Sequence, residues 1–119
     1  MKIETSIDVN EDKIENLLCS AFEGGSNYWI DDIINIPTAT VRKKHGVGYF
    51  YDCPLKGLSF DVISEQGTHT LTPESLTKGM QLMADKYPHH FGDVINDNTD
   101  AATGDVFLQL CLFDDVIYG

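Results

Sequence analysis

Apolar and polar residues take turns at the start of the chain. Ile3, Thr5, Ile7 and Val9 alternate with Lys2, Glu4, Ser6 and Asp8, the period of a strand with one buried face. At Asn10 the period changes. Asn10 is placed to cap a helix, Glu11 and Asp12 fall where the helix dipole favours negative charge, and Ile14, Leu17, Leu18, Ala21 and Phe22 form an apolar stripe. Gly24 and Gly25 would end that helix, with Gly25, or failing that Gly24, in the left-handed conformation of a helix stop. Residues 28–36 fit a strand or a short helix leading to Pro37, and the strand is preferred. Residues 38–54 predict a basic, irregular loop running into a short strand at Tyr49, Phe50 and Tyr51.

The second half is more regular. Residues 58–64 and 68–71 predict a hairpin, joined by a turn at Glu65, Gln66 and Gly67. Thr72, Pro73 and Glu74 supply a capping hydroxyl, a first-turn proline and an early carboxylate, and Leu76, Met80, Met83, Ala84 and Tyr87 give the following helix its buried face. Pro88 ends or kinks it, and a short helix over 89–95 follows. Residues 96–104 read as a loop, with Thr103 as cap of a last helix carrying Val106, Phe107, Leu110 and Phe113; residues 116–118 predict a closing strand. The sum is one α+β domain over 1–119, an antiparallel sheet covered by helices on one side. Its expected core is Leu17, Leu18, Phe22, Phe60, Val62, Leu76, Met80, Phe107 and Leu110.

Three stretches carry a resemblance. Ala21-Phe22-Glu23-Gly24-Gly25-Ser26-Asn27-Tyr28-Trp29, the decapeptide 79–88 (Gly-Met-Gln-Leu-Met-Ala-Asp-Lys-Tyr-Pro) and Thr103-Gly104-Asp105-Val106-Phe107-Leu108-Gln109 together resemble a group of small uncharacterised proteins encoded by bacteriophages and prophages. The likeness spans the chain and lends no catalytic residues. It implies an accessory protein that acts by binding a host protein. One departure is Asp114-Asp115, where the group tends to carry a glycine and a glutamate, which bears on the turn expected after Phe113.

Composition adds charge to this picture. The chain of 119 residues is long enough for one core, and 19 acidic against 8 basic residues give a net charge of −11. No Lys or Arg follows Lys86, while Asp93, Asp97, Asp100, Asp105, Asp114 and Asp115 all lie in that last stretch. The only basic cluster, Arg42-Lys43-Lys44, is too short for a phosphate-backbone footprint, so direct nucleic-acid binding is not expected. No apolar run reaches the roughly 20 residues that span a bilayer, and the charged N-terminus is unlike a secretory signal, so no membrane partner and a host-cell cytoplasmic setting are expected. Cys19, Cys53 and Cys111, odd in number and set among apolar neighbours, suit buried reduced thiols.

No cluster has the spacing of a known chemistry. His89 and His90 point to different faces of a helix, and His45, His69 and the cysteines lie far from them in sequence, so no metal is expected. Asp97, Asn98, Asp100 and Asp105 lack the glycine and glutamate of a calcium loop. Cys19 and Cys111 sit in apolar helical patterns rather than in the electropositive surroundings of a reactive thiol. Gly24-Gly25-Ser26 follows a helix instead of opening one, unlike a phosphate loop, and Gly46-Val47-Gly48 lacks a third glycine. Neither catalytic residues nor a cofactor are therefore assigned. Two surfaces remain. Asp93, Asp97, Asp100, Asp105, Asp114 and Asp115 form a candidate surface for a host protein with a basic site. Gly24, Gly25, Ser26, Asn27, Tyr28 and Trp29 form an aromatic corner that either packs as core or lines a cleft for a small, nucleotide-like ligand. Self-association into a homo-oligomer is left open.

Overall fold

The computed structural model describes residues 1, 3 and 6–119. Asn10 accepts the Lys13 amide at 3.1 Å and so opens α1 (Glu11–Ser20), whose Leu17 and Leu18 are buried. The helix then widens into a π-helical turn, Ala21–Gly25. Neither glycine takes the left-handed conformation: Gly24 is extended at φ 172°, and Gly25 is not among the glycines of positive φ. The expected helix stop is thus replaced. The wider turn lets the Ser26 amide reach the Ala21 carbonyl at 2.9 Å, so that carbonyl is satisfied without a left-handed residue. Gly25 answers a different need: a Cβ there would overlap the Ala101 carbonyl oxygen at the start of the last helix.

The strand preferred for 28–36 is β1 (Asp32–Ile34), which pairs antiparallel with β2 (Phe60–Ser64). β2 pairs in turn with β3 (Gly67–Leu71), giving a three-stranded antiparallel sheet in the order β1-β2-β3. Phe60, Val62 and Ser64 are buried on one face of β2, whereas Asp61 and Ile63 on the other are half-exposed. Between β1 and β2 the chain is not the expected loop and strand. It forms α2 (Ala39–Lys44), capped by Thr38 and ending in three cations that suit a helix C-terminus, and then a 3-10 helix, Phe50–Lys56. Of the aromatics expected in a strand, Phe50 and Tyr51 instead turn inward, while Tyr49 stays exposed. Phe50 packs on Phe22 and Phe60 with ring centroids 5.6 and 5.5 Å apart, and Tyr51 stacks on Phe22 at 6.0 Å. Gly57, at φ 82°, closes the turn.

Thr72 and Ser75 form a reciprocal capping box at the start of α3 (Pro73–Lys86), and Pro88 opens α4 (Pro88–Ile95). The last helix, α5 (Ala101–Phe113), is capped by Asp100 rather than Thr103: the Thr103 amide donates to Asp100 Oδ1 at 2.9 Å. α5 is buried on nearly all sides, flanked by α1, the π-helical turn, α3 and β3. All nine expected core residues join one buried cluster.

Besides the strand at Tyr49, Phe50 and Tyr51, two further expected strands are absent among the described residues. Lys2, Glu4 and Thr5 of the N-terminal strand lie outside those residues; Ile3 and residues 6–9 are irregular, with Ile3 75% and Ile7 58% exposed. Alternation needs a sheet edge to pair with, and this segment instead forms one wall of a groove of about 980 Å³ against Leu76 and Met80 of α3. The closing strand over 116–118 is likewise missing. The side chain of Gln109 bonds the chain there, its Oε1 accepting the Ile117 and Tyr118 amides at 2.7 and 2.8 Å and its Nε2 donating to the Tyr118 carbonyl at 3.2 Å.

Candidate functional site

The two candidate surfaces meet inside the protein. Asp105, in the second turn of α5, is buried at 8% exposure and cannot belong to an acidic face. Its Oδ1 accepts from Ser26 Oγ at 2.8 Å, Trp29 Nε1 at 2.7 Å and Gln109 Nε2 at 3.1 Å, and its Oδ2 from Tyr28 OH at 2.6 Å. Four donors match the acceptor capacity of a carboxylate, which keeps a charge tolerable away from water. Trp29 is further enclosed, stacked on Tyr118 at 5.3 Å and edge-on to Phe113 at 5.3 Å. Ser26 and Trp29 are therefore core, with their polar atoms committed to Asp105. Gly25 is half-buried; Gly24, Asn27 and Tyr28 alone face solvent. Burial and the Asp105 bond push the Tyr28 hydroxyl up to about 12.

The remaining aspartates do not form one face. Asp93, Asp97 and Asp100 lie on α4 and the following loop, before α5, and Asp114 and Asp115 lie beyond its far end, separated by a helix about 20 Å long. Most also have local duties. Asp97 pairs with Lys13 at 2.8 Å, Asp100 caps α5, Asp114 pairs with Lys78, and Asp115 accepts the Val116 amide at 2.9 Å. Asp93 is 3.9 Å from His89 Nε2. Hydrogen bonds from Thr103 hold the Asp100 carboxyl below its ordinary range.

A second cluster went unread in the sequence. Asp52 of the 3-10 helix is buried at 6% exposure, and its Oδ1 has no hydrogen-bond partner. Burial, and then the Glu15 charge, push its carboxyl up to about 6. An acid inside the apolar run from Tyr49 to Leu55 was the available signal, masked by the strand reading. Nearby, Glu23 Oε2 accepts from Cys19 Sγ at 2.7 Å and from Tyr51 OH at 2.6 Å.

The three cysteines are free, Cys53 and Cys111 buried and Cys19 half-buried. Burial raises the Cys111 thiol, and the Glu23 bond followed by burial raises that of Cys19, the opposite of an activated nucleophile. Among the described residues no three His, Cys, Asp or Glu side chains converge as a metal site requires, and no helix is long and apolar enough to cross a membrane. No protein-family model matches the chain, and neither a curated protein nor a solved structure is similar to it.

Proposed function

We propose that the chain is a phage-encoded accessory protein that works by binding, an acidic surface at one end of α5 occupying a basic site on a host protein such as a component of a defence system. The observation that carries this reading is the charge distribution: Asp93, Asp97, Asp100, Asp114 and Asp115 line the outside of a stretch with no Lys or Arg, in a chain of net charge −11. Lys13, Lys56 and Lys78 each neutralise one carboxylate, Asp97 and Asp114 among them, and the net charge of −11 is the acidic excess that remains. A field of this sign accelerates encounter with a cationic partner and selects against nucleic acid. The likeness to phage proteins supplies the setting.

The test captures a host partner and measures its affinity at low and high salt. Two variants separate the ends of α5: Asp93→Asn with Asp97→Asn, and Asp114→Asn with Asp115→Asn. Asp100 and Asp105 are kept because one caps α5 and the other is buried. Affinity should fall with salt for wild type and be weaker for at least one variant. Binding indifferent to salt and to both variants overturns the reading.

A further inference from the structure

Asp52 lines a small cavity of about 260 Å³ whose other walls include Glu11, Glu15, Tyr49 and Lys56. Three carboxylates there face one ammonium, and Lys56 Nζ is taken up by Glu11 at 2.8 Å. Asp52 is more than nine-tenths buried, yet its Oδ1 has no donor, in contrast to Asp105, which has four. Tyr49 stands at the rim with 63% of its surface exposed, its ring held by stacking on Tyr51 at 5.3 Å and 3°.

We propose that this cavity is a binding site for a single guanidinium group, with Asp52 and Glu15 as its anionic acceptors and the Tyr49 ring as its stacking face. A flat, delocalised cation carries several donors in one plane and packs on aromatic faces, which matches two carboxylates beside a fixed tyrosine ring. The carboxylates do not converge on a point as a metal ion would need. The space is smaller than the roughly 300 Å³ where drug-sized pockets begin, so it admits one side chain or a small amine-like molecule. Burial and then the Glu15 charge hold the Asp52 carboxyl up, and a cation beside it would oppose both. The guanidinium is either an arginine side chain of another protein or a free small molecule. The site stands on its own geometry and does not depend on the aspartates around α5.

The test is an amide-resolved NMR titration of the whole chain near neutral pH. The probes are arginine blocked at both ends, its uncharged citrulline counterpart, free agmatine, and a blocked tripeptide with arginine at its centre. Shifts confined to residues 46–56 and α1, produced by arginine and not by citrulline, support the site. Asp52→Asn should weaken binding about tenfold or more, the scale of losing a hydrogen bond to a charged group. Tyr49→Leu, which removes the exposed ring and its stacking on Tyr51, should weaken it about two- to fivefold. Tighter binding of the tripeptide than of agmatine assigns the group to a protein side chain, and the reverse order assigns it to a free molecule; both retain the site. Equal shifts with citrulline, no shifts in these segments, or unchanged affinity in a folded Asp52→Asn variant overturn it. The Asp93, Asp97, Asp114 and Asp115 variants should bind arginine as wild type does, which separates failure of this site from failure of the acidic-surface reading.

Discussion

Two buried aspartates show how the same side chain serves opposite ends. Asp105 is satisfied by Ser26, Tyr28, Trp29 and Gln109, and through Gln109 it ties the corner after α1 to the C-terminal tail. Replacing it by asparagine puts an NH2 where an oxygen now accepts. Asp105→Asn should therefore lose about 1.5 to 3 kcal/mol in urea denaturation, and a wild-type midpoint would refute the staple. Asp52 has the reverse balance. Its carboxyl lies at about 6 in the folded chain against an ordinary 3.8, so the native state holds the proton to higher pH than the unfolded state. Stability then falls as pH rises from about 4 through 6, and above that the cost is fully present. Asp52→Asn should raise stability near neutral pH, on the order of 2 kcal/mol, and leave it little changed below pH 4. Denaturation midpoints across that range check the sign; a wild-type pH slope in the variant would contradict it.

At the scale of elements, close helix contact decides more than propensity. α1 and α5 approach so nearly that a Cβ on Gly104 would lie 2.9 Å from the Leu17 carbonyl and 2.9 Å from the Ala21 amide. Gly104→Ala improves local helix propensity, yet it should cost about 1 to 3 kcal/mol because backbone on both sides must move. Leu18→Ala, deleting a fully buried side chain of α1, should cost about 2 to 5 kcal/mol. Unchanged stability in Gly104→Ala would mean that α1 and α5 do not pack this closely, and unchanged stability in Leu18→Ala that the α1 stripe is not core. These elements were legible because caps and periodicity agree in them: Asn10 with the stripe of α1, Thr72 with that of α3, and the alternation of β2 before its turn. The 3-10 helix was hidden, since Tyr49, Phe50 and Tyr51 have strand-like composition and only packing on Phe22 and Phe60 selects the tighter turn. Gln109, a polar residue inside an apolar run, gives no sign that it will act as a strand edge. The candidate site suffered in the same way, because nothing local separates the buried Asp105 from its exposed neighbours, and the signal for Asp52, an acid among the aromatics after Tyr49, was covered by the strand reading.

For the whole molecule the governing quantity is charge. Nineteen acidic and eight basic residues leave a surface that repels itself, and the ion pairs Lys13–Asp97, Lys56–Glu11 and Lys78–Asp114 relieve it only locally. Exposed pairs of this kind are each worth about 0 to 1 kcal/mol and are themselves screened by salt, so their loss is small beside the relief of general repulsion. Added sodium chloride should therefore raise the thermal midpoint of the isolated chain while weakening its hold on a cationic partner. These opposite responses distinguish an acidic binding surface from a general salt effect on folding, since a protein that lost affinity by unfolding would lose both together. The measurement is a pair of salt series, one of melting temperature and one of affinity for the captured partner. A midpoint that falls with salt would show that the specific ion pairs outweigh the net charge, and the acidic excess would then be too weak a field to draw a partner in.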